Sequence, residues 1–419
     1  MPTWPRTLRR HVPRSGHSSR QSLTTRSAGH ERVDVPCGSS GDVTIDLFNL
    51  DNHGPNAAVV IYLPPFPWHS SDSTTPTFLP EPLRHLPVAC INYRWERVRH
   101  GLAPIDGTPL PAQWPAPVHD TAFAYAWLKE RLAPPGVGRR NAYVCGSFLG
   151  ASLAASLALT ECHAHARFGI RGLVAHNGVY NWTAFLPGHP LHRRKATANP
   201  LLAPPPPPLA EGLRLRELRQ LMGGLFPGPE CLFDPFASPS LFFHSPGLHV
   251  PRDFDDDPSS VSSPLADMVS RMTGRGVNDD GENRAAEALK PPRKSHLIFP
   301  PRTSTLKIPE TLLLHDRHVV AAVTAAAKKG GRKRTPASAK RRGNTFATQA
   351  DELAGFMRRS VEKVEIKERK KWDCDMDGGW DAEPERRVRV VELDEADGLE
   401  MGAEGQETAL NWLEDRLRR

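Results

Sequence analysis

The chain has 419 residues, of which 39% are hydrophobic, and this length allows one large domain or two smaller ones. The formal charge of +7 arises from 54 Lys and Arg against 47 Asp and Glu, but the charges are segregated along the chain, so the net value does not indicate a nucleic-acid surface. The 6 cysteines show no CxxC spacing, and no apolar run approaches the ~20 residues of a membrane span, so we expect a soluble or peripheral protein of a reducing, intracellular compartment.

Residues 1–36 are predicted to be a basic segment, either disordered or a targeting signal. Arginine, serine and threonine dominate its first thirty residues, and Glu31 is the first acidic residue. This composition is typical of a mitochondrial transit peptide, although the apolar face that such a peptide needs is weak beyond Trp4 and Leu8. We therefore expect a cytoplasmic protein, with a mitochondrial location as an alternative.

Strand-like and helix-like segments alternate over the next 150 residues. Residues 42–50 alternate apolar and polar side chains, and residues 57–63 and 88–93 are continuous apolar runs. Pro117 opens a helix whose apolar positions recur at helical spacing, and residues 172–175 form a further strand. This order predicts an α/β fold with a mostly parallel central sheet and helices on both faces.

A strand, a tight turn and a helix follow one another at residues 142–159. Hydrolases with a nucleophile elbow have the pattern Gly-x-nucleophile-x-Gly at such a turn. Here Gly146 and Gly150 occupy the glycine positions and Phe148 lies between them, where a phenyl ring has no nucleophilic atom. Ser147 comes one position early, and Leu149 follows Phe148. The elbow is predicted to keep its shape without its chemistry.

Two segments before this elbow carry a family resemblance. The run Ile91-Asn92-Tyr93-Arg94 and the Trp-Pro-Ala-x-x-x-Asp pattern from Trp114 to Asp120 resemble the esterase and lipase branch of the α/β-hydrolase fold, the hormone-sensitive-lipase-like group. The resemblance covers residues 42–180 well and 306–419 loosely. It implies one α/β-hydrolase-fold domain over 37–419, although the middle of the chain does not match the family. Residues 179–250 are predicted to form a cap over the sheet. Residues 251–305 lack the apolar surface to offset the entropy of ordering and are predicted to be disordered, and the Lys and Arg residues of 320–346 predict a basic insertion. The basic block at 328–342 keeps a nuclear location open as well.

The resemblance also implies where in the chain each group that acyl transfer needs should lie, namely a nucleophile, a base, an acid and an oxyanion hole. The base is expected after residue 393, but the last histidine of the chain is His318. The acid is expected a few residues beyond the strand that ends near His315, and Asp316 is the nearest carboxylate. The oxyanion loop should follow Leu63, but Pro64 and Pro65 stand there and have no N–H to donate.

Other motifs are weaker. His163 and His165 do not share a helical face and would need a third ligand to hold a metal, so we predict no metal and no cofactor. No phosphate-loop or dinucleotide glycine pattern is present, and no nucleic-acid-binding module.

Three functional hypotheses follow. The first is an esterase-like but non-catalytic protein that binds an apolar small molecule or an unknown protein partner in a pocket above Phe148. The second is an active carboxylic-ester hydrolase with rearranged groups, in which Ser147 and Asp316 work with a histidine such as His176 or His189. The third is an interaction protein that uses its basic and disordered insertions.

Overall fold

The computed structural model describes residues 24–27, 29–67, 78–95, 112–192, 213–255, 292–317, 343–370, 380–394 and 399–418. Within them, nine strands form one sheet. The strands are β1 Thr24–Ser27, β2 His30–Pro36, β3 Asp42–Phe48, β4 Val59–Leu63, β5 Val88–Asn92, β6 Arg140–Ser147, β7 Phe168–His176, β8 Glu310–Asp316 and β9 Val388–Leu393.

The α-helices of these residues are α1 Ala116–Arg131, α2 Phe148–Glu161, α3 Leu213–Leu225, α4 Phe346–Ser360, α5 Lys367–Lys370, α6 Glu383–Arg387 and α7 Ala403–Leu417. A π-helical turn, Val361–Ile366, joins α4 to α5. Short 3₁₀ turns occur at Gly38–Ser40, Leu50–Asn52, Glu81–Leu83, Trp182–Phe185, Pro229–Phe233 and Pro239–Phe242. No helix among the described residues is long and apolar enough to cross a membrane.

The strand order across the sheet is β1-β2-β3-β5-β4-β6-β7-β8-β9. The first three strands and the β3–β5 pair are antiparallel, and every pair from β5 through β4 to β9 is parallel. This is the topology of the α/β-hydrolase fold, and it confirms the predicted fold class. Because parallel strands end at one common edge, the ends of β4, β6, β7 and β8 all face the same side of the molecule.

The central strands are buried on both faces, as their continuous apolar runs predicted. One core lies under α1, α2 and α4 and includes Val144 and Leu173. The other lies under α7 and includes Tyr143, whose ring meets that of Trp412 edge to face at 6.1 Å. The helices thus cover both faces of the sheet, and the candidate site lies at the edge where the parallel strands end.

The N-terminal part of the sheet was not predicted. Residues 24–27 and 30–36 form β1 and β2, although the sequence analysis placed them in the basic segment 1–36. Val33, Val35 and Cys37 alternate onto the buried face, and β2 pairs with β3 over its whole length. The domain therefore extends N-terminal to residue 37. Residues 1–23 lie outside the described chain.

The structure describes only part of the predicted insertions. Residues 292–305, predicted as disordered, pack beside the cap region: Leu297 donates its backbone N–H to Phe243 at 2.8 Å, and His244 and His296 form an antiparallel bridge. Residues 256–291 and most of the basic insertion, 320–342, lie outside the described residues. The predictions made for those two stretches stay predictions.

Candidate functional site

The elbow between β6 and α2 has the backbone geometry of a nucleophile turn. Phe148 has φ of 49°, in the left-handed region that bulky residues rarely adopt. A Cβ on Gly146 would lie 2.5 Å from the Gly150 carbonyl oxygen, and a Cβ on Gly150 would overlap the carbonyl oxygens of Leu63 and Pro64. Both glycines are therefore required for β6, α2 and the end of β4 to pack this closely.

The Phe148 side chain points into packed protein. It is 1% exposed. Its ring stacks on Phe66 at 5.7 Å and meets Phe346 edge to face at 5.8 Å and His176 at 6.0 Å, while the Arg214 guanidinium lies 6.0 Å from its centroid. The space over the elbow is thus filled by side chains from four separate segments.

The backbone donor that would bind an oxyanion is already used. In serine hydrolases of this fold, the N–H of the residue after the nucleophile points into the oxyanion hole. Here that residue is Leu149, and its N–H donates to the Pro65 carbonyl oxygen at 3.1 Å. Pro64 is held in turn, because its carbonyl accepts the Tyr93 hydroxyl at 2.9 Å. The loop after β4 therefore occupies the position where an oxyanion hole would form.

Asp316, at the end of β8, forms a polar pair with the end of β7. Its Oδ1 lies 2.9 Å from His176 Nε2, and its Oδ2 accepts from Asn177 Nδ2 at 2.8 Å. Burial raises the pKa of Asp316, but the hydrogen bonds from His176 and Asn177 and the charge of Arg214, 3.9 Å away, outweigh it, so the pKa lies below its ordinary value. The carboxylate is therefore kept ionised and fixed in position.

Ser147 lies beside this pair but is not joined to it. Ser147 and His176 are register partners on neighbouring parallel strands, and Asp316 lies two residues beyond the partner of His176 on β8. The three side chains thus share one face of the sheet edge. In the described part of the chain, however, the Ser147 hydroxyl has no hydrogen bond, and the buried Nδ1 of His176 has no partner either.

His189, the other histidine named for the rearranged site, lies in a different cluster. It is 6% exposed, its Nδ1 accepts from the Leu191 N–H at 3.2 Å, and its ring lies 6.3 Å from that of His192. Burial lowers the pKa of His189 to about 4, and nearby Glu352 opposes that change only in part. A neutral imidazole results, separate from the Asp316 pair.

Sequence reasoning missed a polar cluster between α4 and the cap region, which we call the Glu352 cluster. Gln349 accepts the backbone N–H groups of Tyr180 and Asn181 at 3.0 and 2.8 Å, and Asn181 Nδ2 donates to Glu352 at 3.0 Å. Burial raises the pKa of Glu352, but His244, whose Nε2 lies 3.6 Å away, and the hydrogen bond from Asn181 lower it to about 2. The spacing of Gln349 and Glu352 on one helical face was the available signal, but their partners are distant in sequence.

The region predicted to lack a base is only partly described. Residues 395–398, which directly follow β9, and His318 lie outside the described residues. Among the described residues, no group of three His, Cys, Asp or Glu side chains could hold a metal ion.

Comparison with known proteins gives similarity only at the level of solved structures. No protein-family model and no curated protein matches the chain. Carboxyl esterase 2 from the fungus Tuber melanosporum is 12% identical, with a TM-score of 0.42 over 96% of this chain and 89% of that one. An esterase of Pyrobaculum calidifontis gives 12% and 0.42 over 95% and 86%. EstE1, a thermostable carboxylesterase cloned from a metagenomic library, gives 12% and 0.42 over 95% and 90%.

Proposed function

We propose that this protein is an esterase-like member of the α/β-hydrolase fold that does not hydrolyse esters and instead binds an apolar ligand or a protein partner. One observation carries the proposal: the position that presents the nucleophile in such hydrolases holds Phe148, in the left-handed backbone conformation of a nucleophile and with its ring buried. A carbon ring supplies neither a nucleophile nor a proton.

Two further features support the loss of acyl transfer. The Leu149 N–H is bonded to Pro65, so a tetrahedral intermediate would lack one of its usual donors. Loss of a single such donor costs roughly 10²–10³ in rate. The sequence after His318 contains no imidazole, so the base cannot come from the loop that supplies it in this family.

The test is an assay of the full chain with p-nitrophenyl butyrate, on wild type, Ser147→Ala and Ser40→Ala. Ser40 is an exposed serine of the 3₁₀ turn Gly38–Ser40 and serves as the matched control. We expect all three proteins to give the same rate, equal to that of buffer. Turnover that Ser147→Ala abolishes and Ser40→Ala leaves intact would refute the proposal.

A second candidate is a carboxylic-ester hydrolase built on Ser147, His176 and Asp316. The observation that favours it is the 2.9 Å contact between His176 and Asp316, on the same sheet face as Ser147. It requires Ser147 to bond to the unpartnered Nδ1 of His176. A fluorophosphonate probe labels only an activated hydroxyl, so adduct formation at Ser147, lost in His176→Gln, would establish this candidate. An unlabelled wild type would exclude it.

The interaction role proposed for the insertions at 251–305 and 320–346 remains the third hypothesis. Deleting residues 256–291 and 320–342 together and comparing captured partners with those of wild type would test it. An unchanged set of partners would count against it.

A further inference from the structure

A groove runs between α1 and α2 on the outer side of the larger core. Its cavity volume is about 350 Å³. Most of its lining is apolar and includes Val118, Tyr125, Leu153, Leu157 and Phe236. Ser156 bonds to the Phe236 backbone carbonyl at 2.8 Å, so the cap region closes one side of the groove. A groove of this size and lining lies at the lower end of the range for small-molecule sites, about 300–1,000 Å³.

A second depression of about 370 Å³ opens at the C-terminal end of α2. Four of its lining residues carry nitrogen donors, namely Lys129, His163, His165 and Arg167. Thr305 adds a hydroxyl, which lies 2.8 Å from His163 Nδ1. None of its lining residues is acidic. A set of nitrogen donors and a hydroxyl with no carboxylate among the lining residues suits an anion with several acceptor oxygens, and phosphate has that chemistry.

The two cavities adjoin. Lys129, near the end of α1, lines both of them. The ring of Tyr125, from the groove, lies 6.1 Å from that of Phe168, from the basic depression. Glu161 is the one acidic residue of the groove lining; burial raises its pKa, and the charges of Lys129 and His163 lower it in part. An apolar channel thus leads directly to a basic end.

We propose that this composite site binds a single-chain amphiphile with a phosphate head, the chain lying between α1 and α2 and the phosphate among Lys129, His165 and Arg167. The inference rests on the proposed ligand-binding function and gives it a location. That location is not the filled space above Phe148 but the opposite end of α2. It does not depend on whether esters are hydrolysed.

The experiment is calorimetric titration of the full chain with dodecyl phosphate below its micelle concentration. Dodecanol and inorganic phosphate, each carrying one half of the ligand, serve as comparison probes. We expect dodecyl phosphate to bind at least about tenfold more tightly than either, because one charge-assisted hydrogen bond or a few buried methylenes each contribute that factor.

Two variants and two matched controls locate the binding. Lys129→Gln should weaken dodecyl phosphate about tenfold and leave dodecanol unchanged, whereas Arg131→Gln removes the same charge from α1 outside both cavities and should change neither. Ala126→Trp fills the groove from an exposed position and should weaken both chain-bearing probes. Ala403→Trp adds the same side chain at an exposed position of α7, outside both cavities, and should weaken none.

Equal affinity for dodecyl phosphate in wild type, Lys129→Gln and Ala126→Trp would overturn the composite site, as would dodecanol binding as tightly as dodecyl phosphate. Inorganic phosphate binding as tightly as dodecyl phosphate would overturn the role of the groove. These failures are distinct from failure of the non-hydrolytic proposal, whose readout is ester turnover that depends on Ser147.

Discussion

The left-handed backbone at Phe148 predicts an inverted order of stability for its two smallest replacements. Phe148→Ala should cost about 3–5 kcal/mol, because a side chain that is 1% exposed and surrounded by rings leaves a cavity. Phe148→Gly leaves the same cavity but relieves the left-handed strain of an L-residue, about 1–2 kcal/mol. The greater entropy of glycine in the unfolded chain offsets about 0.5–1 kcal/mol of this gain in stability. Phe148→Gly should therefore be the more stable, by up to roughly 1.5 kcal/mol.

The assay is urea denaturation of Phe148→Ala and Phe148→Gly, with Gly355 and Gly355→Ala as the internal control. Gly355 lies exposed within α4, and a Cβ there would meet nothing within 4 Å. There alanine should be the more stable by about 0.5–1 kcal/mol. Equal slopes against urea are required for the comparison. If alanine exceeds glycine at both positions, position 148 is not held in the left-handed region and the elbow interpretation fails.

Three other predictions test the packing and the charges. Gly150→Ala should cost about 3 kcal/mol or more, because its Cβ meets backbone carbonyls that cannot rotate away; thermal or urea unfolding measures this. Glu352 contributes stability that is complete above its unfolded pKa near 4.5 and is lost as pH falls towards its folded pKa of about 2, so Glu352→Gln should flatten the stability profile in that window. His189, with an unfolded pKa near 6.5 and a folded pKa of about 4, destabilises the fold as pH falls through that interval, and His189→Gln should remove this slope. Glu352→Gln should keep this slope or steepen it, because the Glu352 charge partly opposes the lowering of the His189 pKa. A stability profile that steepens in His189→Gln between pH 6.5 and 4, or in Glu352→Gln between pH 4 and 2, would contradict the assigned directions.

The sequence predicted the structure best where apolar residues form a continuous run or recur at helical spacing. The apolar runs of β4 and β5 and the stripe of α1 placed the central sheet correctly, because burial on both faces leaves a strong signal in the chain itself. β2 was missed because only Val33, Val35 and Cys37 are apolar within an arginine- and serine-rich context. Its stability comes from pairing with β3, which lies between β2 and β5 in the sheet and supplies a partner that composition alone does not reveal.

The residues of the candidate site could be named from the sequence, but most of their contacts could not. That Phe148 would stand at the elbow followed from the two glycines, and His176 was one of two histidines named with Asp316 for a rearranged site. Its neighbours Phe66 and Phe346 could not be predicted, since they come from a loop and a distant helix whose meeting depends on the whole fold. The bond from Leu149 to Pro65 is likewise a tertiary contact.

The left-handed backbone at the elbow has a structural cause that does not depend on catalysis. A left-handed residue is usually explained by the need to present a nucleophile, but the Phe148 ring has no such atom. The close approach of Gly146, Gly150 and Leu63, where an added Cβ would overlap backbone atoms, restricts how β6 can turn into α2. Burying an aromatic ring there recovers, through packing, free energy that the strained backbone costs. The turn is therefore maintained by the architecture of the sheet edge, and its presence in a sequence of this fold does not by itself indicate an active hydrolase.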